Sequence, residues 1–249
     1  MADHRRFFIR PEQVDGDTVV LEGSAAHQIC RVLRLSPGDR VSLLDGCGNE
    51  HQALIVAASH ERVETRIQAT EPARGEPGAR LTLAVCLPKG DRMDQIAQKG
   101  TELGISEYVI LDSARTVSRP GVAAMARKLE RWGRIAAEAA EQCGRGRIPA
   151  FRGAVGIDEL ASTLGSYALT LVAWEEERDR PLKDVLRAHA RVESVMIVIG
   201  PEGGLTTAEV RRLRDAGANC VSLGPRLLRS ETAAIAACAV VMYELEGEL

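Results

Sequence analysis

What the chain lacks narrows the field first. No apolar run among its 249 residues approaches the roughly 18 needed to cross a bilayer. The N-terminal MADHRRFFIRPEQ has no apolar core of a signal peptide. A cytoplasmic protein without a membrane partner is the expectation. The six cysteines (Cys30, Cys47, Cys86, Cys143, Cys220, Cys238) form no CxxC pair, and no histidine stands at zinc-ligand spacing to them. Reduced thiols, mostly buried as small hydrophobes, and no metal are expected. The chain has neither a Gly-Lys-Ser/Thr phosphate loop nor a GxGxxG turn, which argues against an enzyme of nucleotide phosphates. There is no internal repeat and no low-complexity tract.

What is present suits a real core in two modest domains or one large one: 45% of residues are hydrophobic and 27% charged, an ordinary globular balance. The net charge of −3 hides a division. Residues 1–73 hold 8 Lys/Arg against 11 Asp/Glu, residues 74–152 hold 14 against 9, and residues 153–249 hold 10 against 15. An RNA-binding protein needs a basic patch rather than a basic whole, and the middle third could supply one. Charge alone favours a plainer reading, because Arg127, Lys128, Arg131 and Arg134 fit the solvated face of one amphipathic helix.

The first seventy residues read as short strands (RRFFIR, TVVLEG, DRVSLLD, EHQALIVAA, ERVETRIQA) separated by turn residues such as Asp15-Gly16-Asp17 and Pro37-Gly38-Asp39. Ser24 fits the N-cap of a helix with Ile29, Val32 and Leu33 on one face. A small β-barrel is predicted. PARGEPGAR (72–80) reads as a linker, so the domains are expected at 1–72 and 73–249. Beyond it, strands alternate with helices. LTLAVCL (81–87), EYVIL (107–111), YALTLVAW (167–174), VMIVIG (195–200) and CVSLG (220–224) are strands. Residues 121–143 carry Val122, Met125, Leu129, Trp132, Ala136 and Ala139 on one helical stripe. Thr206 and Glu209 form a capping box, and Ser230 fits the cap of a last helix. The pattern predicts a doubly wound α/β domain with a mainly parallel sheet.

Ligands of such sheets bind beyond the C-terminal strand ends. Three ends are unusual. Gly200-Pro201-Glu202-Gly203-Gly204 offers close backbone approach, though Glu202 would repel phosphate. Leu223-Gly224-Pro225 leads through Arg226, Leu227, Leu228 and Arg229 into Ser230-Glu231-Thr232-Ala233, and apolar leucines in a short loop suit an adenine slot. Val172-Ala173-Trp174 is followed by three glutamates, where an acidic solvated turn suffices as an explanation.

Taken with HQICRVLRLSPGD (27–39), QKGTELG (98–104), EAAEQCGRGRIP (138–149), IGPEGG (199–204) and LGPRLLRSETAA (223–234), the chain resembles the RsmE-type ribosomal RNA uridine-N3 methyltransferases of the knotted SPOUT superfamily. The resemblance implies a PUA-like barrel for RNA, a C-terminal domain with a trefoil knot, a homodimer, and S-adenosylmethionine as cofactor. The implied substrate is 16S ribosomal RNA, free or in the small subunit. The cofactor residues would be Val172, Gly200, Pro201, Glu202, Gly203, Gly204, Leu223, Gly224, Leu227, Leu228, Thr232 and Ala233. One departure is visible: the family tends to carry an acid between Ser and Arg where this chain reads Ser113-Ala114-Arg115.

Uridine N3 holds a proton near neutral pH, so its methylation needs a base or a cation that stabilises the anion. Arg229 is the candidate cation and Glu231 the candidate base or orienting partner. Candidates for RNA contact are Arg6, His27, Arg31 and Arg34 in the first domain, with Lys89, Arg92, Arg115, Arg145 and Arg147 beyond it. The alternatives are an RNA-binding assembly factor without catalysis and a methyltransferase of another RNA.

Overall fold

The computed structural model describes residues 5–189 and 192–246. Packing groups the chain up to Glu76 with Ala137–Ile148 in one unit, and Pro77–Ala136 with Pro149 onward in another. The segment 137–148 thus packs with the first unit, although it lies well past the linker read from the sequence.

The first unit contains β1 (Arg6–Phe8), β2 (Val14–Asp15), β3 (Thr18–Glu22), α1 (Ser24–His27), β4 (Arg40–Leu44), β5 (Asn49–Ala58) and β6 (Arg62–Pro72). Its sheet runs in the order β1-β4-β5-β6-β3-β2, parallel only between β1 and β4. Alternation decides what is inside: Val19 and Leu21 on β3, Val41 and Leu43 on β4 and Val63 on β6 are buried together. Each such side chain contributes about 1.5–3 kcal/mol by leaving water. No pairing among the described residues closes β1 onto β2, so the small β-barrel expected takes the form of a curled half-barrel.

The helix at Ser24 also differs from expectation. Gly23, with φ of 63°, holds the cap position, and Ser24 is the first helical residue. The helix then widens into a π-turn over Gln28–Val32. Its i→i+5 spacing carries Val32 out of the apolar stripe. Ile29 is buried while Val32 is 65% exposed.

The second unit contains β7 (Arg80–Cys86), α2 (Arg92–Glu102), β8 (Ile105–Asp112), most of α3 (Val122–Cys143), β9 (Ala150–Gly156), α4 (Ile157–Thr163), β10 (Leu169–Ala173), α5 (Leu182–Ala188), β11 (Ser194–Ile199), α6 (Thr207–Asp215), β12 (Asn219–Val221) and α7 (Ser230–Glu246). The sheet order is β12-β10-β11-β7-β8-β9, and its pairings are parallel. Both faces are covered, which is why its inner strands read as continuous apolar runs. Leu81, Leu83 and Val85 face a core shared with α2, α5 and α7, while Ala84 and Cys86 face one shared with α4 and α6. The strand β9 was not foreseen, since Arg152, Gly153 and Gly156 interrupt its apolar pattern; an edge strand tolerates that. On α3, Trp132 and Ala136 are buried as expected, but Val122 is 91% exposed.

Among the described residues, no helix is long and apolar enough to cross a membrane, and no group of three His, Cys, Asp or Glu could hold a metal ion. Cys86, Cys220 and Cys238 are buried, Cys30 and Cys143 half-buried, and Cys47 exposed. Burial pushes the Cys238 thiol up to about 12 and the Cys86 thiol up to about 11.

Candidate active site

The parallel strands of the second unit end nearly level. Val85 of β7 pairs with Ile199 of β11, which pairs with Ala173 of β10, which pairs with Val221 of β12. The loops leaving these ends therefore converge on one edge of the sheet.

The loop after β11 is tightly held. Gly204 takes φ of 70°, its N–H donates to Pro201 O at 2.9 Å, and a Cβ there would overlap the Glu175 carboxylate. The neighbouring Gly203 is different. Its φ is ordinary, and an added Cβ would meet only Arg115 carbons at 3.5–3.6 Å, so the fold does not require glycine there. This leaves open space at an exposed turn, where the backbone can be approached closely.

Glu202 does not sit free to repel anions. Its Oε1 accepts the Lys89 N–H at 3.1 Å and Arg92 Nη1 at 3.2 Å. Burial alone would push this carboxyl up. Hydrogen bonds from the Lys89 and Glu202 backbones, with the charges of Arg92 and Lys89, outweigh burial and hold it below the usual carboxylate range. Arg92 Nε also lies 3.5 Å from Glu231 Oε1. Arg92 thereby bridges the β11 loop and the start of α7. Arg115 Nη1 donates to Gly203 O at 2.8 Å. The Ala114 N–H donates to Glu209 Oε1 at 2.7 Å, and Glu209 closes the capping box with Thr206 at the start of α6. Ala114 thus supplies a backbone donor at the place where the family tends to carry an acid.

The loop after β12 is open. Leu223 packs on the core, whereas residues 224–229 are exposed, with Leu227 at 86% and Leu228 at 37%. Arg229 has no ion pair among the described residues. Ser230 is the first residue of α7, with a buried Oγ that has no hydrogen-bond partner, so it does not act as the expected cap. Glu231 Oε2 and Trp174 Nε1 are likewise buried without partners. Three unpartnered polar atoms near converging strand ends fit a polar ligand, because buried polar groups are ordinarily paired. Gly200 and the buried Pro201 complete the β11 loop, Thr232 is exposed and Ala233 half-buried on α7. Val172 does not reach this edge: its side chain is fully buried in the sheet core, and Ala173 and Trp174 form the strand end instead.

The remaining expected RNA contacts divide by burial. Lys89 offers an exposed side chain, while the guanidinium groups of Arg92 and Arg115 are engaged in the bonds above. In the first unit, Arg145 is 2% exposed and reaches Glu76 through Nη2 at 3.2 Å and Nε at 3.4 Å. That position serves the fold. Arg147 is exposed and donates its backbone N–H to the same carboxylate at 2.8 Å. Arg6 Nε lies 3.4 Å from Glu50. His27, Arg31 and Arg34 are all exposed around the π-turn. Arg34 is the one non-glycine among the described residues with positive φ, at 53°. A left-handed arginine beside exposed Val32 marks a surface held in an uncommon conformation.

Fold and site together define an RNA methyltransferase. The family described as an RNA methyltransferase domain matches residues 75–242, and the one described as an RNA methyltransferase PUA domain matches residues 21–68. The chain is 32% identical over 249 residues to ribosomal RNA small subunit methyltransferase E of Bacillus subtilis, covering 97% of each chain. It is 33% identical over 243 residues to the protein of that name from Synechocystis, covering 97% of this chain and 78% of the other. A crystal structure of the Neisseria gonorrhoeae protein of that name, bound to S-adenosylmethionine, matches with a TM-score of 0.83 at 31% identity, covering 95% of each chain. A Legionella pneumophila methyltransferase solved with the same cofactor matches with a TM-score of 0.80 at 32% identity, over 95% of this chain and 96% of that one. This chain belongs to the family of the ribosomal RNA small subunit methyltransferases E.

Proposed function

We propose that the chain transfers the methyl group of S-adenosylmethionine to N3 of a uridine in 16S ribosomal RNA. The observation that carries this reading is the open space at Gly203 in a pinned glycine loop, on the same edge of the sheet as the exposed leucines after β12. The names of the relatives and the cofactor in two similar structures support it. The residues present fit the cofactor. Gly203 and Gly204 allow backbone approach, Leu227 and Leu228 offer apolar cover for an adenine, and the orphaned Ser230 and Trp174 atoms offer hydrogen bonds.

When bound, the cofactor supplies an electrophilic methyl on a sulfonium. The protein's part is to orient the uridine and remove its N3 proton. Methylation of N3 would break the sulfur–methyl bond, with S-adenosylhomocysteine as the leaving group, and the N3 proton would pass to a base of the protein. Arg229, exposed at the end of the β12 loop, stabilises the negative charge spread over N3 and the two carbonyl oxygens; a guanidinium is a cation at any working pH. Glu231 has an unpartnered Oε2 that can accept the proton, while its Oε1 is steadied by Arg92. Exposed His27, Arg31 and Arg34 contact RNA from the first unit.

The implied homodimer is part of the same proposal. On α7, Val240 is 41% and Tyr243 80% exposed, beside half-buried Ala236 and Ala239, a surface suited to close helix approach. The resemblance also places the β12 loop in a trefoil knot. Nucleoside mass analysis of 16S ribosomal RNA, incubated with the protein and labelled S-adenosylmethionine, tests the activity. Labelled 3-methyluridine is expected, and an unmodified RNA or a methyl on another base overturns the reading.

A further inference from the structure

Arg127, Lys128, Arg131 and Arg134 of α3 fit a solvated helix face on sequence grounds, and the activity proposed above uses none of them. The structure gives part of that face a concave partner. Arg127, Lys128 and Arg131 form one wall of a cavity of about 320 Å³, and Gly90, Asp91 and Asp94 form the other. Trp132, which is 2% exposed, closes it from within.

The groups around the cavity are tethered in a way that a merely solvated face does not require. The Trp132 indole N–H donates to Asp94 Oδ1 at 3.1 Å, and Asp94 Oδ2 accepts from Arg131 Nη2. Asp94 is therefore spent inside the wall. Lys128 Nζ lies 5.8 Å from the centre of the Trp132 ring, where the ring face attracts a cation. Neither Arg127 nor Lys128 has an ion pair among the described residues. Arg127 and Arg131 are one helical turn apart, with Lys128 beside them, so three cations share one side of the cavity.

Its place in the fold matters as much as its charge. Gly90 and Asp91 lie between Lys89 and Arg92, the two residues that hold Glu202. The cavity thus begins one residue from the pin of the glycine loop, on the same edge of the sheet. A volume near the lower end of the range for ligand clefts admits one nucleotide unit rather than a length of helix. The Asp91 carboxylate opposes a bare anion but accepts a hydroxyl, which a ribose supplies.

We propose that this cavity is a subsite for a nucleotide of the substrate RNA strand flanking the methylated one, with its phosphate on Arg127 and Lys128. The proposal rests on the RNA-methylating reading. The test is the salt dependence of binding of a 16S ribosomal RNA transcript to the full-length protein, with the S-adenosylmethionine affinity measured alongside. The double variant Arg127→Gln/Lys128→Gln should lower the slope of log K against log salt by about 1 to 2. It should raise KM for RNA while leaving kcat and cofactor affinity unchanged. Arg134→Gln, on the same helix but outside the cavity lining, should leave the slope near wild type. An unchanged slope in the double variant or an equal loss in Arg134→Gln overturns the subsite. Because binding is read without methyl transfer, a wild-type protein that binds RNA but does not methylate it overturns the proposed activity and leaves the subsite to be judged by its slope.

Discussion

The loops after β11 and β12 leave the same edge of one sheet, with β10 between them, and are built in opposite ways. The β11 loop is fixed from four directions: by Lys89 and Arg92 on Glu202, by Arg115 on Gly203, by the Thr206–Glu209 capping box, and by its own turn at Gly204. Among the described residues, no hydrogen bond ties residues 225–228 of the β12 loop to the rest, and Leu227 is almost fully exposed. The difference teaches which loop is preorganised. Exposed leucines gain most from a ligand that covers them, whereas the glycine loop presents its backbone in place beforehand.

The largest expected effect belongs to the open loop. Arg229→Ala should slow single-turnover methylation by about a hundredfold to a thousandfold, the usual loss when one charge-stabilising donor is removed. Cofactor affinity should barely change, and the loss should shrink as pH rises, because solvent then produces more N3 anion unaided. A rate equal to wild type would remove Arg229 from the chemistry.

The pinned loop should instead answer to backbone strain. Gly204→Val forces a β-branched side chain into a left-handed position against Glu175, which should cost about 1–3 kcal/mol in urea unfolding. An unchanged midpoint would mean the loop is not held as described. A smaller effect is expected from Glu202→Gln. The Glu202 carboxyl is held below its ordinary value of 4.5, so its contribution is present above that value and is lost as pH falls through the lowered one. The stability difference between wild type and Glu202→Gln, below about 1 kcal/mol for so exposed a pair, should therefore be seen at neutral pH and fade on acidification. A difference that persists in acid would point to packing rather than charge. Smallest of all, Leu227→Ser should change stability by no more than about 0.5 kcal/mol, as expected for an exposed site. It should nonetheless weaken S-adenosylmethionine binding, a separation that calorimetry and unfolding together would reveal.

Much of this arrangement is legible in the amino-acid sequence. The continuous apolar runs at 81–87 and 195–200 fit strands covered on both faces, and Thr206-x-x-Glu209 announces a helix start. The β12 loop is conspicuous because leucines stand where a simple connection needs none, whereas the glycine run alone reads as a tight turn. What is not legible depends on partners distant in sequence. Arg92 and Arg115 read as phosphate contacts until Glu202, Glu231 and Gly203 are seen to engage them. Arg145 likewise reads as a surface cation, yet it is buried on Glu76, 69 residues away. The π-turn hides Val32 from any count at 3.6 residues per turn. Packing of 137–148 with the first unit also warns that deleting residues 1–72 would strip cover from Ala139 and Ala140, so point changes at Arg31 and Arg34 separate RNA contact from folding more cleanly.

The central claim is that the open turn at Gly203 is part of the site proposed for S-adenosylmethionine. Isothermal titration of the full-length protein and of Gly203→Val tests it most directly, since that position has ordinary φ and room for a Cβ, so the variant should fold. The account predicts one cofactor bound per chain in the wild type and a large loss of affinity in Gly203→Val at unchanged thermal stability; equal affinity in the two proteins would contradict it.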